Sequence, residues 1–97
     1  MNEELGKKIT ALIAYVEERR FSSRSSMPLS STKRALEKYK RDIETFGEDA
    51  CDYYQRTGNL PGIPPKRKSY AYGAVERLIE GVPLEEVKTG LVQKVIL

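Results

Sequence analysis

Residues 36–54 read Leu-Glu-Lys-Tyr-Lys-Arg-Asp-Ile-Glu-Thr-Phe-Gly-Glu-Asp-Ala-Cys-Asp-Tyr-Tyr. Within this stretch Leu36, Tyr39, Ile43, Phe46, Ala50 and Tyr53 recur at alternating steps of three and four. That spacing brings side chains onto one face of an α-helix, whereas a half-buried strand would alternate at every second residue. Gly47 interrupts the run, yet the phase continues across it. One long helix over 32–56 is therefore predicted, capped by Ser31 or Thr32, with Gly47 the point where it would break if it breaks at all.

Three further helices are predicted on either side. Over 3–21, Leu5, Ile9, Leu12 and Val16 form an apolar stripe. Asn2 can cap that helix, with Glu3 and Glu4 at the positive end of its dipole and Arg19 and Arg20 at the negative end. Over 70–80, Ser69 supplies a cap, Ala71, Ala74, Val75, Leu78 and Ile79 a face, and Gly81 a left-handed stop. Over 83–96, Pro83 suits a first turn and Leu84, Val87, Leu91 and Val95 make the stripe. No segment alternates with period two and no repeat is visible, so the fold expected is all-α, a single domain built as a small bundle of four helices.

Two connecting segments differ in kind. Residues 22–31 contain six serines and little apolar surface, which predicts a flexible connector, since ordering such a segment costs entropy that nothing offsets. Residues 57–69 include Pro61, Pro64 and Pro65 and then Lys66-Arg67-Lys68. Proline forbids a continuing helix there, so a stiff basic loop is expected, pinned to the core by Leu60 and Ile63.

Composition narrows the chemistry. The chain has 97 residues, 39% of them apolar and 32% charged, which supports one modest core under a highly charged surface. Cys51 is the single cysteine, so no intrachain disulfide can form, and a cytoplasmic setting is the expectation. No apolar run approaches the length of a membrane span, and no membrane contact is expected. Histidine and tryptophan are absent, which removes the commonest general base and the commonest zinc ligand. With no nucleophile-base pair, metal set or phosphate-cradling glycine loop, a non-catalytic protein without cofactor or metal is expected.

Charge supplies the functional signal. From Arg19 to Arg41 eight basic side chains face only Glu37, and from Asp42 to Asp52 five acidic side chains stand without a basic residue between them. The basic end, the Lys66-Arg67-Lys68 loop and nearby tyrosines have the character of a surface that grips phosphates and stacks on bases. The predicted nucleic-acid contacts are Arg19, Arg20, Arg24, Lys33, Arg34, Lys66, Arg67, Lys68 and Tyr70, with DNA or RNA as partner. The alternative expectation is an adaptor, inhibitor or assembly protein, contacting a protein partner or a second copy through Asp42, Glu48, Asp49, Asp52 and an exposed Tyr54.

Smaller motifs point the same way or nowhere. The run Glu80-Gly81-Val82-Pro83-Leu84-Glu85-Glu86-Val87 resembles the turn of a helix-turn-helix. Arg77 stands where that motif places a small residue, and Glu85 and Glu86 would face phosphates, so a plain helix-loop-helix corner is expected. Arg19-Arg20-Phe21-Ser22 resembles a site for basic-directed kinases. Glu48, Asp49 and Asp52 lack the glycine and loop spacing of a calcium hand, and the same acids should raise the Cys51 pKa.

Overall fold

A computed structural model of the chain describes residues 2–22, 26–62 and 69–96, with the side chains of 20–22, 26–28 and 96 excepted. Among these residues every regular element is α-helical: α1 (Glu3–Ser22), α2 (Ser26–Thr45), α3 (Ala50–Thr57), α4 (Tyr70–Glu80) and α5 (Leu84–Ile96). The all-α expectation holds, with five helices where four were predicted.

α1 and α2 form the largest helix-helix contact. They run antiparallel, because Glu17 meets Lys33 near one end and Gly6 approaches Glu44 near the other. Their facing stripes are Leu5, Ile9, Leu12 and Val16 on α1 and Leu29, Leu36, Tyr39 and Ile43 on α2, all buried. α4 and α5 close over this hairpin with Ala71, Tyr72, Ala74, Val75, Leu78, Val87 and Leu91. Tyr72 is fully buried, crosses Tyr39 edge to face at 6.2 Å, and accepts a hydrogen bond on its hydroxyl from the Leu60 amide at 3.0 Å. Leu60 therefore pins the loop as expected; Ile63 lies outside the described residues.

The first difference from expectation is at the start of α2. Residues 26–31, read as connector from their serines, are helical. Pro28 falls in the first turn, where the amide it lacks has no helical partner anyway. Leu29 and Thr32 are buried and continue the stripe to Leu36. That apolar anchor offsets the cost of ordering the polar residues around it.

The second difference is at Gly47. α2 stops at Thr45, where the Phe46 amide reaches back three residues to the Ile43 carbonyl at 3.2 Å, and α3 begins afresh at Ala50. Two side chains hold the corner. Asp49 caps α3, accepting from the amides of Cys51 at 2.9 Å and Asp52 at 3.2 Å. Asn2 is buried against the break: its Nδ2 donates to the carbonyls of Ile43 at 3.0 Å and Glu48 at 3.2 Å, and its Oδ1 accepts from the Ala50 amide at 2.8 Å. The helix ends are thus satisfied without a continuous helix. Asn2, expected as the cap of α1, spends its side chain on this distant corner instead.

The remaining ends match the sequence reading. Gly81 is left-handed with φ 93°, and the Val82 amide returns to the Arg77 carbonyl at 3.0 Å. Ser69 caps α4, accepting from the Tyr72 amide at 3.2 Å.

Candidate nucleic-acid interface

The face of α2 turned away from the core carries Ser31, Arg34, Lys38, Arg41 and Thr45, spaced three or four residues apart and all exposed. Helical geometry makes this a single stripe. The guanidinium groups of Arg34 and Arg41 have no ion pair or hydrogen bond with any described residue. Between them Lys38, 58% exposed, meets Asp42 at 2.8 Å, one turn along the helix. A pair this open contributes at most about 1 kcal/mol and yields readily to a stronger anion.

Beside this stripe lies the start of α4. Ser31, Thr32 and Ala35 of α2 share a shallow cavity with Ser69, Tyr70 and Ala71. The Ser69 hydroxyl is 3.2 Å from that of Tyr39. Tyr70 is 56% exposed and is the large apolar side chain left on the surface among the described residues. Its ring has no aromatic or cationic partner there.

The other predicted nucleic-acid contacts divide. Arg19 is exposed at the end of α1, its guanidinium 5.2 Å from the Tyr15 ring centre. Lys33 pairs with Glu17 at 3.0 Å, each side chain 29% exposed, and so links α1 to α2. The side chain of Arg20 and all of Arg24, Lys66, Arg67 and Lys68 lie outside the described residues.

The acidic segment is less free than its sequence suggests. Asp42 pairs with Lys38, Glu44 with Lys40 at 3.1 Å, and Glu48 with Arg56 at 3.1 Å, while Asp49 is committed to its cap. Lysines one helical turn earlier serve Asp42 and Glu44, and Arg56 of α3 reaches back eight residues to Glu48, supplying the cations that the linear segment lacks. Asp52 remains exposed. No group of three candidate metal-binding side chains occurs among the described residues. The Cys51 thiol, half-buried, has its pKa pushed up by burial first and then by Asp49 and Asp52, against Lys8.

Tyr54 is corrected. Read as an exposed aromatic, it is half-buried and packed against the core, while Tyr53 takes the outer corner against Phe46 at 5.1 Å. The break at Gly47 re-aims α3, so Ala50 and Tyr54 face inward in place of Tyr53. The Tyr54 hydroxyl lies 3.1 Å from Glu76 Oε2 and 3.0 Å from Glu80 Oε2, sharing one proton between two carboxylates. Burial, then the hydrogen bonds with Glu80 and Glu76, raise its pKa well above the ordinary phenol range.

Lys38 and Arg41 were not assigned to the contact surface from sequence, although their spacing from Arg34 carried the signal. Arg77 and Lys94 were also missed; they lie 17 residues apart in sequence, on different helices, and no local pattern links them. Compared with known proteins, the chain matches no family model, no curated protein and no solved structure. No helix among the described residues is long and apolar enough to cross a membrane.

Proposed function

We propose that this protein binds nucleic acid, without catalysis, through the outer stripe of α2 and the adjoining start of α4. The observation that carries the reading is an imbalance. Asp42, Glu44 and Glu48 are ion-paired and Asp49 caps α3, whereas the side chains of Arg34 and Arg41 meet no carboxylate among the described residues and lie on one exposed line beside an exposed Tyr70. Arginine forks match phosphate oxygens, and a bare tyrosine ring offers a stacking surface. Contact with a protein through Asp42, Glu48, Asp49, Asp52 and Tyr54 has less support, because most of those groups already have partners within the chain.

Fluorescence anisotropy against labelled DNA and RNA over a salt series tests this. Binding should weaken steeply with salt. Replacing Arg34 and Arg41 together by Gln should make the slope of log K against log salt shallower by about 1.8 on duplex, or about 1.4 on single strands. Binding that ignores both salt and the double substitution would remove the proposal.

A further inference from the structure

The outer face of α4 forms one wall of an open cleft of about 630 Å³, lined by Ser69, Tyr70, Gly73, Glu76 and Arg77 with Lys94 of α5. We infer that this cleft receives one unstacked nucleotide, so that the nucleic acid proposed above is held as a single strand. The inference rests on that reading and adds the strand type and a second site of contact.

Four features of the cleft converge. Gly73 closes the first turn of α4, its amide donating to the Ser69 carbonyl at 3.0 Å, and within a helix glycine is unfavourable by about 1 kcal/mol relative to alanine. A side chain there would meet Arg77 Nη1, which lies 3.6 Å from the position its Cβ would take. The bare backbone is therefore the floor over which the Arg77 guanidinium lies. Arg77 and Lys94 have no ion pair with any described residue, leaving two cations to face an anion in the cleft. Tyr70 borders the same space with its ring exposed, and also borders the α2 side. The one carboxylate in the lining, Glu76, is engaged by the Tyr54 hydroxyl at 3.1 Å.

Cations beside an exposed aromatic ring suit a phosphate and a base from one nucleotide. A base paired within a duplex cannot present its face to Tyr70, whereas a splayed base in a single strand can. The volume falls in the range of small-ligand clefts, roughly 300–1,000 Å³. A strand crossing Tyr70 would pass from this cleft onto the α2 stripe, bringing its next phosphates toward Arg34.

The test compares a labelled oligothymidine with a duplex of equal length, using three variants whose fold is checked by circular dichroism. Gly73→Leu fills the floor while favouring helix, so a folded protein with a blocked cleft is expected. Gly73→Leu and Tyr70→Leu should each weaken single-strand binding about tenfold, the loss expected for one stacked base, and Gly73→Leu should leave duplex binding within about twofold. Tyr70→Phe should bind like the unaltered chain. Free thymidine monophosphate, which cannot reach the α2 stripe from the cleft, should compete poorly.

If Gly73→Leu and Tyr70→Leu leave single-strand affinity unchanged while the Arg34 and Arg41 double variant lowers it, the cleft assignment falls and the α2 interface stands. If the unaltered protein binds neither strand nor duplex, both fall. Competition by the mononucleotide as strong as that of the oligonucleotide would overturn the assignment to a strand.

Discussion

Tyr54 shows how one rotation about a helix axis changes a side chain's task. Adjacent tyrosines cannot both face a core, and the unbroken heptad selects Tyr53; the corner at Gly47 selects Tyr54 instead. Its hydroxyl then joins α3 to Glu76 and Glu80 of α4. A phenol whose folded pKa is raised above its unfolded value contributes stability that is fully present below the unfolded value, near 10, and is lost as pH rises through the folded one. Urea unfolding of the Tyr54→Phe variant should therefore show a loss of about 1 kcal/mol at neutral pH, discounted for partial exposure. The difference from the unaltered chain should shrink in strongly alkaline buffer; a gap that widens there would contradict the shared-proton arrangement.

The helices were legible where apolar spacing and end signals agreed. α4 carries both Ser69 and Gly81 at its ends, and its predicted span of 70–80 is the observed one. The errors arose where the decisive group was remote or its neighbours misleading. The corner between α2 and α3 depends on Asn2, which lies 48 residues from Ala50 in sequence and so gives no local sign of its role. The serines of 26–31 concealed Leu29, whose burial draws that segment into α2. α5 offers a check on what local propensity contributes without packing. Gly90 has nothing within 4 Å of the position a Cβ would take, so Gly90→Ala should raise stability by about 0.5–1 kcal/mol, read as a higher midpoint in urea with an unchanged slope. A lower midpoint would mean that the helix or its surroundings need glycine there for a reason beyond space.

Across the molecule, the polarity read along the chain is only half visible in three dimensions. Counting charges between Arg19 and Asp52 located a basic and an acidic region, but not the pairs that neutralise them: Lys38 with Asp42 and Lys40 with Glu44 across the two, and Lys33 with Glu17 of α1. What stays exposed is a more selective arrangement, with Arg34 and Arg41 on one line and Arg77 and Lys94 around a cleft. The cleft was illegible because its cations come from separate helices and its floor is an absence of side chain. Asn2 has a further consequence for how the molecule comes apart. Three bonds from one carboxamide tie the beginning of α1 to the end of α2 and the beginning of α3, so these ends cannot fray independently. They form one cooperative opening unit. In native-state hydrogen exchange the Ala50 amide should open together with the first turn of α1, and Asn2→Ala should cost about 2–4 kcal/mol and release the Ala50 proton first. Retained protection of Ala50 in that variant would show that the three termini are held separately.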